Sequence, residues 1–284
     1  MKYGSKLIPD RLVFKESMGK FNNQVVLITG ASAGIGAALA QELASEGASL
    51  VLLARRTERL EAIANKIDPT GERVLAVACD VTHDGDLERA VDLARSRFSR
   101  IDIAIANAGW SLKGNLENLS LDDYRRQWET NVFGVIRTIY ATLDELKQTQ
   151  GRLVIIGSVK SYIALGGDSA YSTSKFALKA LCESLSSELA PSKVSVTHIC
   201  PGYVATEIRQ VDNQGIFHRD WQDFISPKLL TKSRTNRQAD CQSHLQKTTG
   251  AGTYLLWQII GFTQTTFSLL IILANFDSTN SGGF

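Results

Sequence analysis

A chain of 284 residues with 44% hydrophobic and 21% charged residues is long enough for one large α/β domain or two small ones. The net charge of +2, with no basic block interleaved with aromatic residues, argues against a nucleic-acid-binding protein. The four cysteines are far apart and form no CxxC pair, so we expect reduced thiols in a cytoplasmic protein and no metal site. Residues 1–21 contain no long apolar stretch, which predicts neither a signal peptide nor an N-terminal anchor.

Short apolar runs of strand length alternate with helical patterns along most of the chain. Strands are predicted at residues 24–30, 49–55, 73–80, 101–109, 151–158 and 194–202. Helices are predicted between them at 34–47, 57–67, 84–98, 121–148 and 169–189. Strands that are each separated by a helix form a parallel sheet with right-handed crossovers and helices on both faces. We therefore expect a doubly wound α/β fold with ligands at the carboxyl ends of its strands, as a single domain at residues 21–230 after a loosely ordered lead-in at 1–20.

The first predicted strand runs directly into the glycine-rich sequence TGASAGIG, residues 29–36, which opens the first helix. Gly30, Gly34 and Gly36 would allow a tight turn and a close approach of the backbone to a pyrophosphate. The helix N-terminus adds free N–H groups and the positive end of the helix dipole. The spacing is G-x-x-x-G-x-G rather than G-x-G-x-x-G, but its place in a βαβ unit still predicts dinucleotide binding.

The end of the second predicted strand, LLARRTERL at residues 52–60, predicts which dinucleotide binds. An acidic residue here holds the ribose hydroxyls of NAD, whereas a basic residue accommodates the 2′-phosphate of NADP. Arg55 and Arg56 occupy this end and no acid precedes Glu58. Guanidinium groups bind phosphate through paired hydrogen bonds, so we expect NADP(H). The alternative is a solvated basic turn.

A tyrosine and a lysine, Tyr171 and Lys175, lie four residues apart in the predicted helix 169–189. Residues at that spacing share one face of a helix, so the phenol and the ammonium group are neighbours. A single pair of this kind also arises by chance, so it predicts an active site only together with its neighbours in the fold.

Several motifs in chain order resemble those of the short-chain dehydrogenases/reductases, from Thr29 to about Thr206. TGASAGIG resembles the family's cofactor loop, and ANAG at 106–109 resembles its NNAG motif. The remaining matches are CDV at 79–81, NVFG at 131–134, IGS at 156–158 and PGYVAT at 201–206. The resemblance implies a Rossmann fold, a homo-oligomer (dimer or tetramer) and a small-molecule carbonyl or alcohol substrate.

By the same resemblance, a set of loop and strand-end residues would bind the cofactor. They are Gly30, Ser32, Ala33, Gly34, Ile35, Gly36, Arg55, Arg56, Asp80, Val81, Asn107, Ala108, Gly109, Tyr171, Lys175, Pro201, Gly202, Val204 and Thr206.

The resemblance also implies a catalytic tetrad of Asn131, Ser158, Tyr171 and Lys175. Hydride transfer to a carbonyl leaves an alkoxide that must receive a proton, and Tyr171 is expected to supply it. A free phenol has a pKa near ~10, and the cation of Lys175 is expected to lower it. Lys175 would also hydrogen-bond the nicotinamide ribose, Ser158 would orient the substrate oxygen, and Asn131 would hold a water that links the lysine to solvent. Outside an active site, Ser158 would be a strand-end cap and Asn131 a polar residue inside a helix.

These residues predict an NADP(H)-dependent oxidoreductase that acts on CH–OH or C=O groups. The alternative is a non-catalytic NADP(H)-binding redox sensor or scaffold, because one fold serves several functions. Proteins of that second kind are expected to have lost the serine, the tyrosine or the lysine, and this chain keeps all three.

Residues 203–227 form a long connection where the family has its substrate lid. A pocket lined by its apolar side chains predicts a hydrophobic substrate. The alternative is that these side chains only pack the lid onto the body. His198 and His218 are expected to be a strand residue and a lid residue rather than catalysts. The residues in question are Tyr203, Ile208, Val211, Ile216, Phe217, Trp221, Phe224 and Ile225, with Trp110 and Leu112 on the opposite wall.

The C-terminal segment, residues 231–284, departs from the family pattern, because a polar stretch at 231–247 is followed by an uncharged one at 248–276. One interpretation is a divergent native ending that keeps TTG, residues 248–250, as a glycine turn. A second, weighted equally, is a shifted reading frame, since a one-base shift of residues 239–244 can encode an isoleucine- and valine-containing helical run. The third and least favoured is a membrane anchor within 254–276, which exceeds the ~20 residues needed to span a bilayer.

Overall fold

A computed structural model describes residues 19–202, 204, 206–213, 216–221 and 254–256. The predicted domain boundaries at 20/21 and 230/231 stay predictions, because residues 1–18 and 222–253 lie outside the described part. Phe21, the first residue of the predicted domain, is fully buried, and its N–H donates to the carbonyl of Glu46.

A parallel sheet of seven strands forms the centre of the described structure. Its spatial order is β3-β2-β1-β4-β5-β6-β7, so the order reverses between β1 and β4. The first six strands confirm the prediction, and β7 adds a short seventh strand beside β6 in the C-terminal segment. The strands are Val25–Thr29 (β1), Ser49–Ala54 (β2), Val74–Ala78 (β3), Ile103–Ala106 (β4), Arg152–Ile156 (β5), Ser195–Cys200 (β6) and Tyr254–Leu256 (β7).

Six α-helices connect or follow the first six strands, and they match the predicted helices closely. One prediction is wrong in detail, because residues 121–148 do not form one helix but two, joined by a π-helical turn at Glu129–Phe133. Such turns insert an extra residue into the helix and often occur at functional sites. The helices are Gly34–Ser45 (α1), Thr57–Ile67 (α2), Asp86–Phe98 (α3), Leu121–Trp128 (α4), Gly134–Thr149 (α5) and Ser169–Leu189 (α6).

Alternating side chains of each strand pack on opposite faces of the sheet. In β1, Val25 and Leu27 belong to the core that includes Val91 of α3, whereas Ile28 packs in the second core with Leu43 of α1. Because both faces are covered, the strands read as continuous apolar runs rather than alternating ones. The two cores therefore hold the sheet rigidly between helix layers, with the carboxyl ends of its strands together at one edge.

The interpretations of the C-terminal segment remain open, because nearly all of it lies outside the described residues. Three residues of this segment, Tyr254–Leu256, are described, and they form the strand β7, which pairs in parallel with β6. Within the described part of the chain, no helix is both long enough and apolar enough to cross a membrane.

His198 is the predicted strand residue, and it lies buried in β6 beneath the loop that follows β5. It is 2% exposed, and both of its ring nitrogens lie 3.5 Å from Sγ of Cys200. A Cβ atom at Gly157 would lie 2.1 Å from its Nε2, so the ring and the loop are in direct contact. Burial lowers the pKa of His198 to about 4, and the positive charges of Lys175 and Lys179 contribute.

This buried imidazole predicts an acid-sensitive fold. Between its ordinary pKa of 6.5 and about 4, the unfolded chain binds a proton at His198 that the folded chain does not, so stability falls as the pH falls through that window. From about pH 7.5 to about pH 4.5, the free energy of unfolding of His198→Gln should fall by about 2–3 kcal/mol less than that of the wild type. Urea unfolding at each pH measures both.

The matched control is His83→Gln, which changes an exposed histidine. It should follow the wild-type pH dependence. An identical pH dependence of the wild type and His198→Gln would show that His198 is not the group responsible.

Candidate active site

The glycine loop between β1 and α1 has the geometry that the sequence predicts. Gly30 has a φ angle of 67°, in the left-handed region that favours glycine. A Cβ atom at Gly36 would lie 2.4 Å from the carbonyl oxygen of Gly30, so the first turn of α1 packs on the loop with no room for a side chain. The loop therefore leaves the N-terminus of α1 open toward the carboxyl edge of the sheet, where an anion is favoured.

Four hydrogen bonds join the carboxyl ends of β1 and β4 beside this loop. Oγ1 of Thr29 accepts from the backbone N–H groups of Asn107 and Ala108, each at 3.0 Å. Nδ2 of Asn107 donates to the carbonyls of Thr29 at 2.9 Å and Gly30 at 3.2 Å. The side chain of Asn107, a predicted cofactor residue, thus positions the glycine loop. Thr29 is not among the predicted site residues, and its place at the end of β1, directly before Gly30, is the signal that could have revealed its role.

The predicted tyrosine, lysine and serine meet at the start of α6. The hydroxyl of Tyr171 hydrogen-bonds to the side chain of Ser158, which follows β5. Nζ of Lys175 donates to the carbonyl of Ile156 at 3.0 Å and lies 5.7 Å from the centroid of the Tyr171 ring. The fold therefore brings together two segments that are thirteen residues apart in sequence, and it fixes the lysine beneath the tyrosine.

Burial shifts the pKa values of this pair in opposite directions. It raises the pKa of Tyr171 to about 12, although the hydrogen bond with Ser158 lowers it in part. It lowers the pKa of Lys175 to about 8. The pKa of the phenol therefore lies above its ordinary value and not below it, because desolvation disfavours the phenolate more than the hydrogen bond with Ser158 favours it. The effect of Lys175 on that pKa stays a prediction. At neutral pH the phenol keeps its proton.

Asn131 lies in the π-helical turn and is fully buried. Its Oδ1 accepts from the N–H of Trp110 at 3.1 Å, and its Nδ2 donates to the carbonyl of Trp110 at 3.0 Å and to Oγ of Ser174 at 3.2 Å. It thereby links the loop after β4 to α6. Gln127, which the sequence analysis did not single out, supports the same loop, since its Nε2 donates to the carbonyl of Trp110 at 2.9 Å. The water-holding role of Asn131 stays a prediction.

The ends of β2 and β3 carry the charged part of the site. Nη2 of Arg56 donates to Oγ of Ser32 in the glycine loop at 3.3 Å. Arg55 is more exposed and lies 3.8 Å from the carboxylate of Asp80. Oδ1 of Asp80 accepts from the backbone N–H of Thr82 at 3.0 Å and from its hydroxyl at 2.8 Å. Of the two predicted arginines, only Arg56 therefore contacts the glycine loop.

A cleft of about 1420 Å³ runs from these arginines past the glycine loop to Ser158 and Tyr171. Among the predicted site residues, Gly36 and Asn131 do not line it, since each is packed behind the wall. The predicted residues that do line it are Gly30, Ser32, Ala33, Gly34, Ile35, Arg55, Arg56, Asp80, Val81, Asn107, Ala108, Gly109, Ser158, Tyr171, Lys175, Pro201, Gly202, Val204 and Thr206.

The predicted substrate wall is only partly apolar. Trp110, Ile208, Val211 and Phe217 line the cleft, but Leu112 is fully buried and does not, which corrects the prediction. Charged side chains of Lys113, Arg126, Glu129, Lys160 and Asp168 also line it, and Nζ of Lys160 donates to Oδ2 of Asp168 at 2.6 Å.

The outer face of the predicted lid is exposed where the structure describes it. Ile216 is 58% and Trp221 is 46% exposed, so neither contributes to a closed pocket. His218 is a lid residue, as predicted, and it stacks on Trp221 and contacts Oδ2 of Asp212 at 2.6 Å. Tyr203, Phe224 and Ile225 lie outside the described residues.

Solved structures similar to this chain share the same arrangement of strands and helices. An alcohol dehydrogenase from the archaeon Thermococcus sibiricus, complexed with 5-hydroxy-NADP, is 28% identical, with a TM-score of 0.65 over 82% of this chain and 95% of its own. A short-chain type dehydrogenase/reductase from Mycobacterium marinum is 26% identical, with a TM-score of 0.68 over 89% of each chain.

Sequence comparison leads to the same family. Oxidoreductase UcpA of Salmonella typhimurium is 38% identical over 195 residues, which cover 68% of this chain and 74% of the relative. An uncharacterized oxidoreductase of Staphylococcus epidermidis is 32% identical over 194 residues, or 83% of its length. The profile of the family described as short chain dehydrogenase matches residues 24–216. The glycine loop, the Ser158–Tyr171–Lys175 cluster and these matches together show that the chain belongs to the short-chain dehydrogenase family of oxidoreductases.

Proposed function

We propose that the protein is an NADP(H)-dependent dehydrogenase/reductase that interconverts a carbonyl and a secondary alcohol, with Tyr171 as the proton donor and acceptor. The family uses nicotinamide dinucleotides, and the neighbour from Thermococcus sibiricus binds an NADP analogue. The observation that carries the proposal is that Ser158 and the buried pair Tyr171 and Lys175 line the same cleft as the glycine loop and Arg56.

The residues present fit a dinucleotide phosphate. The glycine loop has no side chain at Gly30 or Gly36, where a Cβ atom would meet backbone atoms within 3.0 Å. The N-terminus of α1 beside it favours an anion. At the far end of the cleft, Arg56 donates a hydrogen bond to Ser32, and its side chain is 40% exposed and thus accessible to a phosphate. When bound, NADPH would supply the hydride.

Residues of the protein orient the substrate oxygen and transfer the proton. The hydroxyls of Ser158 and Tyr171 donate hydrogen bonds to the substrate oxygen and orient it. As hydride reaches the carbonyl carbon, negative charge develops on that oxygen and Tyr171 gives up its proton to it. Because the pKa of Tyr171 is raised to about 12, the phenol holds that proton at neutral pH until the alkoxide forms. The ammonium group of Lys175, one helical turn away, stabilises the phenolate that is left.

We propose a substrate with a hydrophobic part, on the basis of Trp110, Ile208 and Val211 along the cleft. We also infer a homo-oligomer, since the large apolar side chains of Phe133 and Phe176 are 46% and 40% exposed on the helical surface. The described cysteines are buried free thiols, which supports a cytoplasmic location.

The mechanism predicts separate effects for the two members of the tyrosine–lysine pair. Tyr171→Phe should lower kcat for carbonyl reduction by about 10²–10⁴-fold, because it removes the proton donor, and leave the Kd of NADPH nearly unchanged. Lys175→Ala should lower kcat and also raise the Kd of NADPH, because the lysine is expected to contact both the phenol and the ribose. The measurements are NADPH absorbance with a panel of aldehydes and ketones, and NADPH binding by fluorescence titration.

Tyr140→Phe is the matched control, since Tyr140 lies on the outer face of α5 and is 74% exposed. Its turnover should equal that of the wild type. If Tyr171→Phe kept most of its turnover, Tyr171 would not be the proton donor. Tight NADPH binding by the wild type with no turnover of any carbonyl would support the non-catalytic sensor instead.

The cofactor assignment predicts an asymmetric effect of the arginines. Replacing both Arg55 and Arg56 with alanine should raise KM for NADPH by about 10–100-fold, the cost of losing charge-assisted hydrogen bonds to the 2′-phosphate. KM for NADH should change little, because NADH lacks that phosphate. Arg125→Ala, which removes an exposed arginine on α4, is the control. Equal effects on the two cofactors would show that these arginines do not bind the phosphate.

A further inference from the structure

A glutamate of the segment after β6 is bound to two arginines at the cofactor end of the cleft. Glu207 begins the short 3-10 helix Glu207–Gln210, directly after the motif PGYVAT. Its Oε2 accepts from Nη1 of Arg56 at 3.1 Å. Nη1 of Arg59, one turn further along α2, donates to Oε1 and Oε2 of Glu207 at 2.9 and 2.8 Å. One carboxylate is thus shared by two guanidinium groups.

Arg56 and Glu207 line the cofactor side of the cleft, and Arg59 is bound to this side through Glu207. Arg56 also donates to Ser32 of the glycine loop, and both Ser32 and Glu207 line the cleft. The ring of Phe217 lies 5.0 Å from the guanidinium carbon of Arg59 and 6.0 Å from that of Arg56, which holds both groups from the other side. An anion that binds at this end therefore finds the guanidinium groups of Arg56 and Arg59 already hydrogen-bonded to the carboxylate of Glu207.

We propose that Glu207 determines cofactor specificity by competing with the ribose 2′-phosphate for Arg56 and Arg59. This inference rests on the proposed NADP(H) dependence. A phosphate monoester carries about −1.5 to −2 charge at neutral pH, against −1 for a carboxylate, so it displaces the carboxylate from the arginines. The displacement costs part of the phosphate's binding energy. NADH, which has no 2′-phosphate, avoids that cost, so Glu207 narrows the preference for NADPH over NADH.

Partial exposure makes the exchange sterically simple. The side chain of Glu207 is 33% exposed, and those of Arg56 and Arg59 are 40% and 42% exposed. Ion pairs at this exposure are individually weak, so a bound phosphate can replace one without disrupting the fold. Arg59 becomes a second phosphate ligand, which the sequence analysis did not single out although it lies four residues after Arg55 on the first turn of α2.

The test is Glu207→Gln, with binding of adenosine 2′,5′-bisphosphate, adenosine 5′-monophosphate, NADPH and NADH measured by calorimetry. The Kd values of the bisphosphate and of NADPH should fall about tenfold, because the two guanidinium groups are released for the phosphate. The Kd values of the monophosphate and of NADH should stay within about twofold of the wild type. In an Arg56→Ala, Arg59→Ala background, Glu207→Gln should have no effect, since the competition acts through these arginines.

Glu61→Gln is the matched control, because Glu61 is an exposed acid on the same helix α2 and has the same charge. It should leave all four Kd values unchanged, which separates competition from a general gain of positive potential. If Glu207→Gln weakened NADPH binding or left it unchanged while the wild type still preferred NADPH, the inference would be overturned and the proposed function would stand. If the wild type bound NADH as tightly as NADPH and no variant changed this, both would be overturned.

Discussion

The hydrogen bonds between Thr29 and Asn107 hold the carboxyl ends of β1 and β4 together, and the rest of the site depends on that contact. The strand order reverses between these two strands, so their following loops leave the sheet in opposite directions and open a crevice. On one side the glycine loop enters α1, and on the other the loop through Trp110 leads toward the tetrad. A shift of either strand would move both walls of the cleft at once.

Buried polar groups position the side of the cleft that carries the predicted tetrad. Asn131 and Gln127 bind the backbone of Trp110 from the helical layer, and Asn131 reaches α6 through Ser174. Asn131 lies in the π-helical turn Glu129–Phe133, where its side chain is fully buried. A single buried network thus positions both the loop after β4 and the helix that carries Tyr171.

Desolvation also sets the protonation states of the proposed catalytic pair, Tyr171 and Lys175. Burial favours the neutral phenol of Tyr171 and the neutral amine of Lys175, so their pKa values move in opposite directions, to about 12 and about 8. A proton donor with a raised pKa is suited to a reduction, in which the phenol must not ionise before the alkoxide forms. At the opposite end of the cleft the residues are more exposed, and there Arg56 and Arg59 share the carboxylate of Glu207.

The amino-acid sequence was sufficient to predict the α/β class, six of the strands, most helix bounds within a few residues and the motifs of the family. Because helices cover both faces of the sheet, its strands are continuous apolar runs in the sequence. The glycines, the tyrosine and the lysine lie within or directly beside the helices and strands that position them. Only the tertiary structure decided which side chains meet across long separations. Glu207 meets Arg59 across 148 residues, and Asn107 meets Thr29 across 78. It also decided the pKa of Tyr171, because burial depends on every layer packed around a residue and local sequence does not specify those layers.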